Sequence, residues 1–166
     1  ETDLYIQNKV KRGLRNANGT GVLVGLTKIG EVIGYDTDAN GNRIPAPGRL
    51  YYRGYSIDDL VENCVKENRF GFEEITYLLM FGELPSEEEL NAFTKHLGKK
   101  RELPTGFARD MILNTPSSNI MNKLARSVLA LYTYDDKADD ISIANVIRQS
   151  IDLIGYFPAL IAYAYQ

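Results

Sequence analysis

The sequence predicts a mainly α protein, a helical bundle preceded by a small N-terminal antiparallel β-sheet. Two observations predict it. Glycines at 19, 21, 25, 30, 34, 41, 48 and 54 punctuate short runs rich in Val, Ile, Leu and Tyr, which is the chemistry of strands and tight turns. From Ser56 onward the pattern changes to capping residues, apolar stripes at three- and four-residue spacing and glycine stops, the marks of successive helices. A length of 166 residues fits one domain of ordinary size, and 44% hydrophobic with 25% charged residues describes a packed core rather than a disordered chain.

Residues 1–16, "ETDLYIQNKVKRGLRN", form a polar arm with Lys9, Lys11, Arg12 and Arg15 close together. Such a run reads as a solvated surface stretch, with a local anion site as the functional alternative. Residues 17–55 carry the sheet. Val22–Leu26, Glu31–Tyr35 and Arg49–Arg53 are the candidate strands, with "DANGN" as turn chemistry between them. "GTGVLVG" lacks the GxGxxG spacing and follows a polar arm rather than a strand, which argues against a dinucleotide loop. "GRLYYRGYSIDDL" alternates Leu50 and Tyr52 against Tyr51 and Arg53, turns at Gly54 and caps a helix with Ser56. The aromatic and basic row is therefore a joint between sheet and helices. A formal net charge of −3 offers phosphate backbones no general attraction, and no nucleic-acid partner is expected.

Residues 56–166 carry the helices. Ser56 with Asp59 is a capping-box-like start. Phe72, Ile75, Leu78 and Leu79 follow at helical spacing, and Gly82 stands where a C-terminal cap belongs. Ser86 with Glu89 is a full capping box, Leu90, Phe93 and Leu97 form one stripe, and Gly98 is expected to end it. "LPTGFARDMIL" reads as a short helix. After Pro116 comes a helix with Met121, Leu124, Val128 and Leu131 on one face, and then an acidic loop, "YDDKADD". The last helix is expected from near Asp140, showing Ile143, Ile147, Ile151 and Ile154, apolar on nearly every side after Gly155 and kinked at Pro158. The apolar stretch from Leu153 to Tyr165 is shorter than the ~20 residues of a membrane span, so a membrane partner is not expected.

Little in the chain can run a reaction. The one histidine, His96, lies on the flank of a charged helix with no second histidine or cysteine near it to suggest a metal site. Cys64 is the one cysteine, which rules out an internal disulfide and favours a reducing, cytoplasmic compartment. The acids of "SEEEL" and "YDDKADD" suit helix N-termini. No catalytic and no metal-binding residue is assigned. The first residue is Glu1, the first methionine is Met80 and the last residues are apolar, so a piece of a longer protein is expected.

The order of motifs goes further. "GRLYYRGYSIDDL", "FGFEEITYLLMFGELPSEEEL", "NTPSSNIMNKLARSVLALY" and "IDLIGYFPALIAYAYQ" together resemble the N-terminal part of the large domain of citrate synthase, and "VKRGLRNANGTGVLVGLT" resembles a bacterial branch. The resemblance implies an enzyme condensing acetyl-CoA with oxaloacetate to citrate and CoA, with 2-methylcitrate synthase, acting on propionyl-CoA, as the alternative. A non-catalytic helical dimerisation module is a third reading. The family uses two histidines and one aspartate, all implied to lie later than Gln166. By the resemblance Arg15, and after it Arg12, would meet a phosphate of CoA. The resemblance also implies a homodimer joined through the last two long helices, with Met121, Leu124, Val128, Leu131, Ile147, Ile151 and Ile154 at the interface. Where the family commonly has His-Pro-Met at a helix start, this chain has Asn119, Ile120 and Met121. No cofactor is implied beyond the two substrates.

Overall fold

The computed structural model describes residues 27–166 together with residues 3, 7, 13–16, 19 and 21. The expected strand Val22–Leu26 and the candidate Arg12 lie outside the described residues. The fold is mainly helical with a small three-stranded antiparallel sheet, ordered β1 (Gly30–Thr37), β2 (Arg43–Tyr52), β3 (Tyr55–Ser56). The helices are α1 (Ile57–Lys66), α2 (Phe72–Phe81), α3 (Glu87–Lys99), α4 (Ile120–Leu131) and α5 (Ile143–Tyr165). A π-helical segment, Ala108–Leu113, precedes α4, and a 3₁₀ turn, Tyr132–Tyr134, follows it. None of the helices among the described residues is long and apolar enough to cross a membrane.

The chain divides into two compact units. One comprises the residues up to Gly71 with Leu78–Glu83, and the other comprises Phe72–Tyr77 with Leu84–Gln166. In the first unit, Asp38 closes the β1–β2 turn. Its Oδ1 accepts from the backbone N–H of Asn40 and of Asn42, each at 2.8 Å. Gly41 supplies the positive φ of +82° that the turn requires. The register slips between Ile33 and Tyr35, opposite the stretch of β2 that carries Pro45 and Pro47. The prolines cannot donate to a ladder, and β3 pairs only with Tyr51 and Tyr52, beyond them.

The YRGY row is a two-residue hairpin. Tyr52 pairs with Tyr55, and the loop residues Arg53 and Gly54 have φ of +51° and +89°. Two positive φ values are the mark of a type I′ turn, whose twist matches the strands it joins. Arg53 is thus the turn's first residue rather than the last of a strand, and β3 is an addition to the expected sheet. Its guanidinium donates to the carbonyl of Leu79 from Nη2 at 2.8 Å and from Nε at 3.3 Å. That carbonyl belongs to the last turn of α2, where acceptors lack helical partners and a cation meets the negative end of the dipole. Gly82 caps the same helix in the left-handed region, at φ +95°, as its place in the sequence predicts. Ser56 caps α1 through a single bond from the Asp58 N–H at 3.3 Å, without the box expected with Asp59.

In the second unit, Ser86 and Glu89 form the reciprocal capping box of α3. Phe93 and Leu97 are buried below that cap, with Tyr77 edge-on to Phe93. The core of the unit is Phe107, Ile112, Leu131, Leu160 and Ala164, joined by Ile120, Leu124, Leu153 and Tyr156. Phe107 and Ile112 are five residues apart and both fully buried. That spacing suits the wider π turn, which is why the expected short helix takes that form. Asn119 caps α4 by accepting from the Asn122 N–H at 2.9 Å, so in the departure from His-Pro-Met the capping side chain stands in the histidine's place and Ile120 in that of the helix-starting proline. The last helix begins at Ile143 behind a Ser142 cap, three residues later than Asp140.

Two helical glycines stand in opposite surroundings. Gly98 does not stop α3, which runs on to Lys99, and the space around it is open. Gly155 is a point of close approach. A Cβ there would lie 2.5 Å from Lys100 Cβ and 2.8 Å from the Lys100 carbonyl oxygen, so only a glycine lets α5 cross the end of α3 at this distance. The helix continues through Pro158.

Candidate functional site

The charged arm contributes one described candidate. Arg15 is exposed and pairs with Gly21 as an isolated antiparallel bridge. Its Nη1 donates to the Gly19 carbonyl at 3.0 Å, and Asn16 Nδ2 donates to Gly21 O at 3.1 Å. The guanidinium therefore helps close its own turn, and its remaining donors are the part that suits an anion.

The other candidates lie on α4 and α5. At 100° per residue, Ile143, Ile147, Ile154, Phe157, Ile161 and Tyr165 share one stripe of α5. Ile143 is 80% exposed, Ile161 48% and Tyr165 81%, while Ile151 and Ile154 are half-buried. The charged residues of α5 are Arg148 and Asp152, and both face the other way, into the unit. The helix thus carries an uncharged apolar strip about 34 Å long at 1.5 Å per residue.

On α4 the face turned into the unit is offset from the apolar stripe. Lys123 and Ser127 are buried with Leu131, while Met121 is 74% exposed. Lys123 Nζ donates to the carbonyl of Ala164 at 3.1 Å, and Ser127 Oγ donates to the Lys123 carbonyl at 2.8 Å. A lysine can be enclosed there because it meets the unpaired carbonyls and negative dipole at the end of α5, with its stem serving as apolar filling. Of the seven interface candidates, Leu131 is buried in the unit's own core and Leu124 packs against it. Met121, Val128, Ile147, Ile151 and Ile154 keep part of their surface outside.

Sequence reasoning missed the polar cluster between the acidic loop and α5. Arg148 Nη2 donates to both oxygens of Asp135, at 2.8 and 2.6 Å. Its Nη1 donates to Asp152 at 3.0 Å and its Nε to Asn145 at 2.8 Å. Gln149 Nε2 donates to Asp135 and to the Ala138 carbonyl, both at 3.1 Å, and Asn145 Nδ2 reaches the carbonyls of Lys137 and Asp140. Lys100 Nζ sits 2.7 Å from the other Asp152 oxygen. Arg148, then Gln149 and the Lys137 N–H hold the Asp135 carboxyl well below the usual range, to about 2. Asn145, Arg148, Gln149 and Asp152 stand at i, i+3, i+4 and i+7, so the signal was a helical one carried by polar residues. A cavity of about 270 Å³ lies beside the cluster, walled by Val128, Leu131, Tyr134 and Tyr156 among others. His96 is exposed on α3, and no metal-holding group of His, Cys, Asp or Glu occurs among the described residues.

The model of the family described as "Citrate synthase, C-terminal domain" matches residues 15–166. A citrate synthase from Corynebacterium glutamicum is 34% identical over 72% of this chain and 26% of its own length. A 2-methylcitrate synthase from the same organism is 30% identical over 93% of this chain and 35% of its own length. Among solved structures, citrate synthase from Pyrobaculum aerophilum superposes with a TM-score of 0.66 at 26% identity, covering 88% of this chain and 34% of that one. The chain thus spans about a third of the length of the relatives it matches.

Proposed function

Because this chain belongs to the citrate synthase family, we propose that it is the early, helical part of the large domain of a homodimeric, cytoplasmic enzyme that condenses acetyl-CoA with oxaloacetate, and that it is inactive by itself. One observation carries the reading. The reaction implied by the resemblance needs two histidines and an aspartate within hydrogen-bond reach of the substrates, and these 166 residues hold one histidine, exposed on α3. What this chain contributes is the scaffold and, through Arg15, one contact to a phosphate of CoA. Release of the CoA thiol from acetyl-CoA and oxaloacetate tests the proposal. Residues 1–166 should give no turnover above the uncatalysed rate, and turnover from protein free of host enzyme would overturn it. Propionyl-CoA in place of acetyl-CoA, with the longer protein, tests the alternative favoured by the likeness to 2-methylcitrate synthases.

The dimer is proposed on the uncharged strip of α5 and the outer face of α4, where Met121, Val128, Ile147, Ile151 and Ile154 meet a second copy. A two-fold contact lets one patch cover its own equivalent, and the strip from Ile143 to Tyr165 is centred on Ile154. Antiparallel copies of α5 would cross there. An Ile154→Cys variant should then form a disulfide-linked dimer on mild oxidation. A chain that stays monomeric by light scattering and uncrosslinked would refute this arrangement.

A further inference from the structure

We draw no further inference here: the strongest candidate, the cavity of about 270 Å³ beside the Arg148 cluster between α4, α5 and the acidic loop, carries nothing because the charged groups around it are already engaged with one another, Arg148 with Asp135 and Asp152 and Lys100 with Asp152, which leaves no free charged group on its wall to recognise a ligand.

Discussion

Adding one methyl group at Gly155 sets two effects of opposite sign against each other. Alanine is the better helix former, and in a helix interior the exchange is worth about 1 kcal/mol. Against this, the new Cβ would stand 2.5 Å from Lys100 Cβ and 2.8 Å from the Lys100 carbonyl oxygen, where non-bonded carbon contacts settle near ~3.5–4.0 Å. The obstacle is backbone and the root of a side chain, so a rotamer change cannot clear it. The end of α3 and the middle of α5 must move apart by about 1 Å, which overpacked cores resist at a cost of ~1–3 kcal/mol. The same movement pulls Lys100 from Asp152, a pair at 2.7 Å whose carboxylate is 14% exposed. Gly155→Ala should therefore destabilise the chain by a net of up to ~2 kcal/mol. Gly98→Ala is the matched control. Gly98 is also helical, exposed and free of neighbours, so the same exchange should stabilise by about 0.5–1 kcal/mol. Urea unfolding followed by far-UV circular dichroism, at one fixed protein concentration because self-association adds to apparent stability, reads both. If Gly155→Ala stabilised the chain as much as Gly98→Ala, the close-approach argument would be wrong.

Arg53→Ala should cost about 1–2 kcal/mol through the lost bonds to Leu79 O, and Arg53→Gly about 1 kcal/mol less because it relieves the left-handed backbone. Equal losses in thermal unfolding would show that the φ of +51° carries no strain. Ser86→Ala should destabilise by ~1 kcal/mol by opening the capping box of α3, and an unchanged urea midpoint would deny the cap its role. The Asp135 carboxyl titrates near 2 when folded, below the unfolded value of ~3.9. Its contribution is therefore complete above about pH 4 and lost as pH falls toward 2. The stability difference between the wild type and Asp135→Asn should shrink across that window, and a difference that stays constant would contradict the Arg148 contact. Ile147→Asp should push the chain toward monomer in size-exclusion chromatography with light scattering while leaving its helicity intact, whereas Leu131→Asp should unfold it, since Leu131 lies in the unit's own core. Equal effects of the two would show that α4 and α5 are oriented differently.

Local rules were legible in the sequence wherever one segment decides its own geometry. The Ser86–Glu89 box, the Gly82 cap and the Asp38–Asn42 turn involve partners within four residues, so spacing is enough to find them. What escaped were features set by a second element. Gly98 and Gly155 look alike in sequence, and only the crossing of α3 with α5 makes one indispensable. Nothing near Lys123 in the sequence marks it as buried, yet a carbonyl forty-one residues away gives it a partner inside. Met121 lies on the expected apolar stripe, and its face is uncovered in the chain by itself. The candidate arginines show the same limit, since Arg15 reaches Gly19 within its own turn and any ligand contact depends on groups elsewhere.

The Arg148 cluster also bears on the order in which the chain folds. Its bonds between the acidic loop and α5 join residues only five to fourteen positions apart, so closing them sacrifices little loop entropy. They tie the acidic loop to the first two turns of α5 and thereby set the reversal of direction between α4 and α5. Lys123 and Ala164, by contrast, meet across forty-one residues, a contact that gains nothing until the reversal exists. The helical hairpin is thus positioned to form early, with the apolar core of Phe107, Ile112 and Leu160 closing on it afterwards. On this order, loss of Arg148 acts mainly on the folding limb of a chevron plot, and loss of Lys123 mainly on the unfolding limb.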